Sequence, residues 1–199
     1  MRSRREILGG MVGTTALLAG CAGILEQSND GNGDGSSTSD EPSDTGPSPE
    51  QQRKDLAAAY RGGVESYNVG SLAYQRATSN YNIELWDMAR DAYSESQSDL
   101  EEAAQSFDKA GTIAIQLDET TLLDWCDTAQ QKAETKRGAA ESMIEACDDA
   151  AADDLVAADD HVQNANPASQ EAEGMTIRDF ADVEAALDVD VRDPVTFNP

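Results

Sequence analysis

Apolar and small residues recur in steps of three and four through the middle of the chain, which is the spacing of one face of an α-helix. The first run follows Ser48 and Pro49, a favourable N-cap and first helical residue. It comprises Leu56, Tyr60, Gly63, Tyr67, Gly70, Tyr74, Ala77 and Tyr81. This pattern predicts a helix over about residues 49–79.

Two further runs follow the first. One extends from Trp86 to Leu117 and predicts a helix over about residues 83–117. The apolar positions then shift by one residue, and a third run from Leu122 to Val162 predicts an unbroken helix over about residues 121–163. Residues 166–199, which include Pro167, are predicted to form a loop, a short helix at about 177–187 and a tail.

These elements predict an all-α fold over residues 48–165: an elongated antiparallel three-helix bundle with coiled-coil-like heptads, completed by the short C-terminal helix. A long coiled-coil dimer is the alternative, because heptads do not distinguish a partner helix in the same chain from one in another chain. The oligomeric state is therefore left open.

The N-terminus has the features of an export signal in residues 1–20. Arg4 and Arg5 precede an uncharged stretch that is too short to span a bilayer. A lipobox-like sequence closes the segment: Leu18, Ala19, Gly20 and Cys21. The segment resembles the signal of twin-arginine lipoproteins. The resemblance implies export in a folded state, cleavage before Cys21, a lipid on Cys21 and anchoring to the outer face of the cytoplasmic membrane.

Residues 21–47 join the lipidation site to the first helix. From residue 26 to residue 46 they contain no apolar side chain, so they cannot offset the entropy of ordering and are predicted to be disordered. Such a tether spans roughly 25 Å on average.

The formal net charge is −25, with 39 acidic and 14 basic residues. This excess argues against a nucleic-acid partner. The composition resembles that of proteins from extremely halophilic archaea, in which concentrated salt screens the repulsion between carboxylates.

Two groups of residues are candidates for binding. Tyrosines seven residues apart form either a recognition stripe or part of the bundle core: Tyr60, Tyr67, Tyr74 and Tyr81. Asp149, Asp153 and Asp160 fall close to one face of the predicted third helix and are weak cation candidates. The chain has one His and no phosphate-binding or nucleophile motif, so we expect no cofactor, no metal and no catalysis.

Cys126 and Cys147 are expected to be buried thiols. On one straight helix they would lie about 31 Å apart, and a disulfide would require the chain to reverse near residues 135–138.

The predicted function is a surface-exposed, lipid-anchored, non-catalytic helical module for protein interaction or cell-envelope structure in a high-salt organism, with the protein partner unknown. The alternative is a solute- or cation-binding lipoprotein that serves a transporter.

We predict that helicity falls when salt is removed, because unscreened carboxylates then repel one another across the bundle surface. Circular dichroism in 3 M and in 0.1 M salt measures this change. An identical spectrum at both concentrations would contradict the halophilic interpretation.

Overall fold

A computed structural model describes residues 46–189. Within this range the chain forms five helices: α1 (Pro49–Tyr81), α2 (Trp86–Gln116), α3 (Thr120–Ala151), α4 (Leu155–Gly174) and α5 (Phe180–Leu187). Consecutive helices from α1 to α4 pack side by side, and α5 packs on α1. The predicted all-α bundle with a short C-terminal helix is confirmed. The heptad stripes of the first three helices meet one another within the chain.

Several predictions concern residues 1–45 and 190–199: the export signal, the lipobox with Cys21, most of the linker and the last part of the tail. These lie outside the described residues. The first helix begins where the sequence predicted, because the Ser48 Oγ accepts a hydrogen bond of 3.2 Å from the Gln51 backbone N–H. Pro49 is its first residue.

Three acidic residues close the turns between the long helices. Glu84, Asp118 and Asp153 have positive φ angles of 61°, 58° and 65°. In each turn the next residue donates its backbone N–H to the carbonyl five residues earlier: Leu85 to Asn80, Glu119 to Ala114 and Asp154 to Asp149. This is the Schellman arrangement, with an acidic side chain at the position that glycine usually occupies.

The prediction of an unbroken third helix to residue 163 was wrong. Helix α3 ends at Ala151, the chain reverses at Asp153, and α4 begins at Leu155. Asp154 caps α4 by accepting a hydrogen bond of 3.2 Å from the Ala157 backbone N–H. The predicted loop after residue 165 is also wrong, because α4 continues through Pro167 to Gly174.

The short C-terminal helix starts later than predicted. It begins at Phe180 instead of residue 177, with Asp179 as its N-cap. Ile177 lies in the preceding connection and is partly buried. Val183 and Leu187 bury their side chains in the core beside Leu56 and Tyr60 of α1.

Two clusters of buried side chains fill the bundle. The first joins the N-terminal half of α1 to α2, α3 and α5, and the second joins the C-terminal half of α1 to α2, α3 and α4. Between them the packing is close and partly polar: the buried Ser96 hydroxyl donates a 2.8 Å hydrogen bond to the Gly70 carbonyl. A Cβ added at Gly70 would lie 2.9 Å from Leu100 Cγ. Small residues on α1 therefore let α2 approach closely.

We predict that Gly63→Ala destabilises the protein by about 1–3 kcal/mol, because the new Cβ would lie 2.6 Å from a ring carbon of the fully buried Phe107. The matched control is Gly138→Ala on α3, where a Cβ meets nothing within 4 Å. The control should gain up to about 1 kcal/mol from helix propensity. Urea unfolding in high salt measures both values. Equal effects of the two substitutions would contradict this account of the α1–α2 contact.

Candidate functional site

A cleft separates α1 from α4 above a floor formed by α3. Its volume is about 730 Å³, which falls within the range of small-molecule sites. The cleft exists because α1 packs mainly on α2, whereas α4 packs on α3. The buried residues of α4 are three alanines seven residues apart: Ala158, Ala165 and Ala172. Both walls carry hydroxyl and amide groups, so the cleft is partly polar.

The tyrosine stripe of α1 divides between the core and this cleft. Tyr60 is fully buried, stacks edge-on against Phe107 and donates a 3.1 Å hydrogen bond to the Arg178 carbonyl. Tyr67, Tyr74 and Tyr81 line the cleft. Tyr60 is thus a core residue, and Tyr74, which is 8% exposed, belongs both to the second buried cluster and to the cleft lining. Tyr67 and Tyr81 are partly exposed in the cleft.

Contacts around the tyrosines hold the aromatic wall in place. Tyr74 and Tyr93 pack edge to face with ring centroids 5.1 Å apart. The Thr78 hydroxyl donates to the Tyr74 carbonyl, and its oxygen is 3.0 Å from the Tyr93 hydroxyl, which therefore donates to it. Burial raises the pKa of Tyr67, Tyr74, Tyr81 and Tyr93. The wall consequently offers neutral phenols at any physiological pH.

Lys136 is the charged residue of the cleft floor, and only 6% of it is exposed. Its Nζ donates hydrogen bonds to Ser169 Oγ at 2.8 Å and to Glu173 Oε1 at 3.4 Å. The same ammonium lies 4.3 Å from the centroid of the Tyr74 ring. A hydroxyl, a carboxylate and an aromatic face thus compensate the cost of burying this charge.

Sequence reasoning missed Lys136, although a signal was present. The apolar stripe of α3 advances by three and four residues, but between Ala133 and Ala140 it advances by seven. Lys136 fills the omitted position. Ser169 and Glu173 were missed because they fall in the segment that was predicted to be a loop.

A second, smaller cavity of about 430 Å³ adjoins the cleft and shares Tyr67 and Glu173 with it. Its Lys132 donates a 2.7 Å hydrogen bond to the Met175 carbonyl and lies 5.2 Å from the Tyr67 ring centroid. Burial, and secondarily the nearby Lys136, lower the pKa of Lys132. Two lysines one helical turn apart therefore face the same region of the α1–α4 groove.

The acidic candidates do not form one site. Asp149 lies on α3, Asp153 in the turn and Asp160 on α4, so the shared helix face that suggested them does not exist. Asp149 and Glu145 flank His161 of α4, with its ring nitrogens 3.4 and 2.9 Å from their oxygens. Within residues 46–189 no group of three or more His, Cys, Asp or Glu side chains is arranged to hold a metal ion.

Both described cysteines are free and buried in α3, as expected. Burial raises the pKa of Cys126 to about 12 and that of Cys147 to about 11. Because the thiolate is the reactive form, neither residue is suited to act as a nucleophile. The predicted requirement for a disulfide, a reversal near residues 135–138, is not met, since α3 is continuous there.

Comparison of the chain with protein-family models, with curated proteins and with solved structures finds no match.

We predict that a thiol reagent at pH 8 leaves Cys126 and Cys147 unmodified in the native chain, because both are buried and protonated. In denaturant both should react. Mass spectrometry of the full chain should then count two modified thiols when the Cys21 sulfur carries a lipid, and three when it does not. A count below two would reveal a disulfide and contradict the assignment.

Proposed function

We propose that this chain is an exported, lipid-anchored binding module that holds a small organic solute in the cleft between α1 and α4. The cleft is the observation that supports the proposal: a volume of about 730 Å³ bounded by four tyrosines and a buried ammonium. Aromatic walls with a few convergent polar groups are typical of small-molecule sites. The twin-arginine and lipobox resemblance supports a location at the outer face of the cytoplasmic membrane.

The chemistry of the cleft favours binding over catalysis. Its lining consists of phenols, hydroxyls, amides, two apolar side chains and one ammonium–carboxylate pair. Neither His161 nor either described cysteine is part of that lining. Neutral phenols with raised pKa values donate hydrogen bonds but are poor proton acceptors. Such a set suits the recognition of a solute, and delivery of that solute to a membrane transporter is the role we propose.

A second candidate is protein interaction at one end of the bundle. The α1–α2 and α3–α4 turns lie at the same end because successive helices are antiparallel. Large apolar side chains are exposed there: Ile83, Leu85, Met88, Leu155 and Val156. An apolar group of this kind favours contact with another protein. Among the helices of residues 46–189, none has an apolar stretch of the length that a membrane span requires.

Solute binding in the cleft is tested by blocking the cleft with a large side chain. Asn166 of α4 is exposed and lines the cleft, so Asn166→Trp introduces a large ring without disturbing the core. Asn164→Trp is the matched control, because Asn164 is exposed on the same helix but lies outside the cleft lining. Thermal denaturation in 2 M KCl is followed with a panel of amino acids, organic acids, sugars, nucleosides and quaternary amines.

We expect at least one solute to raise the melting temperature of the wild type and of Asn164→Trp, because a ligand that binds only the folded state stabilises it. The same solute should have no effect on Asn166→Trp. Stabilisation that survives in Asn166→Trp would place the binding site elsewhere. A panel without any effect on the wild type would favour the protein-interaction candidate.

A further inference from the structure

Lys136 carries a charge that is buried by the fold but weakly paired. Its residue is 6% exposed, whereas the side chain of its carboxylate partner Glu173 is 69% exposed. The distance of 3.4 Å between Nζ and Oε1 is long for a charge-assisted hydrogen bond. An exposed side chain that contributes one long contact loses little when it rotates into solvent. Glu173 is therefore a displaceable partner for a fixed ammonium.

The Glu173 carboxylate lies inside the electrostatic environment of the cleft. It raises the pKa of Tyr67 and of Tyr74, after the larger effect of burial, and it opposes the lowered pKa of Lys132. It also lines both adjoining cavities. The chain thus places one of its own carboxylates where the phenols and the ammonium of the cleft converge.

Lysine is rare in this chain but occurs twice beside the cleft. The whole chain has a net charge of −25 and only four lysines, of which two, Lys132 and Lys136, lie one turn apart on α3. Each ammonium is placed over a tyrosine ring of α1. In a chain with this acidic excess, the two ammonium groups are a local concentration of positive charge that attracts a negatively charged group.

We propose that the cleft takes an organic anion whose carboxylate replaces that of Glu173 at the Lys136 ammonium. This proposal rests on the proposed function and specifies the chemical class of the solute. Ser169 accepts a hydrogen bond of 2.8 Å from Lys136 and also hydrogen-bonds with the Tyr74 side chain, so two hydroxyl groups lie beside the position of the incoming carboxylate. The body of the ligand lies along Tyr81, Met143 and Val162, which form the less polar part of the lining.

The experiment compares two probes that differ in charge but hardly in shape, 4-phenylbutyrate and 4-phenylbutyramide. Binding to the full chain is measured by calorimetry in 1 M KCl. At this ionic strength the Debye length is about 3 Å, so distant surface charges contribute little to the difference between the probes. We expect the carboxylate to bind about ten-fold more tightly than the amide, because only the carboxylate forms a charge-assisted bond with Lys136.

Two charge-removing variants separate a specific effect from a general one. Glu173→Gln removes the internal competitor and should raise the ratio of carboxylate to amide affinity several-fold. Glu171→Gln is the matched control, since Glu171 is exposed on the same last turn of α4 and does not line the cleft. It should leave both affinities as in the wild type. Lys136→Met should abolish the preference for the carboxylate, and the two glutamate variants suffice if this variant does not fold.

Each result has a defined meaning. Equal affinities of the two probes in the wild type and in Glu173→Gln would overturn the anion proposal and leave solute binding in the cleft intact. An equal gain in Glu171→Gln would also overturn it, because the effect would then be general electrostatics. Absence of carboxylate binding to both the wild type and Glu173→Gln would have the same consequence. Loss of the cleft function itself is detected separately, by the Asn166→Trp and Asn164→Trp pair.

Discussion

The bundle depends on three chain reversals, each of which holds an acidic residue in the left-handed backbone region. Residues with a Cβ pay about 1–2 kcal/mol for this conformation. The cost is offset because the turn satisfies carbonyls at the end of the helix, and Asp tolerates the region better than most residues. The cleft between α1 and α4 depends on the turn at Asp153. Without that reversal α4 would not return along α3, and α1 would face no second wall.

The middle of the bundle explains why a polar cleft lies beside an apolar core. Gly70 brings α1 against α2, and the Ser96 hydroxyl satisfies the Gly70 carbonyl. Lys136 interrupts the apolar stripe of α3 between the two hydrophobic clusters. A charge at that level requires polar neighbours, which α4 supplies through Ser169 and Glu173. The same groups that compensate Lys136 form part of the polar lining of the cleft.

The errors made from the sequence share one physical origin. Asp153 was expected to share one face of an unbroken third helix with Asp149 and Asp160, so the turn at Asp153-Asp154 was not predicted. Pro167 was taken as a stop signal, although the observed helix continues through it. Both expectations rested on local residue preferences. The end of α3 before Asp153 and the continuation of α4 through Pro167 depend instead on the packing of the α4 alanines against α3. Lys136 was missed because a polar residue within a stripe was treated as a gap.

The sequence by itself determined the helical class, the positions of α1 and α2 and the start of α3, because heptad spacing is a local property that any packing partner must satisfy. It also determined the charge carried by the outer faces. Only the tertiary structure decided where the third helix ends, which tyrosines are core and which line the cleft, and that Lys136 is buried. These features depend on contacts between residues far apart in the chain, such as Lys136 with Glu173 and Tyr60 with Arg178. Spacing along one helix carries no information about such contacts.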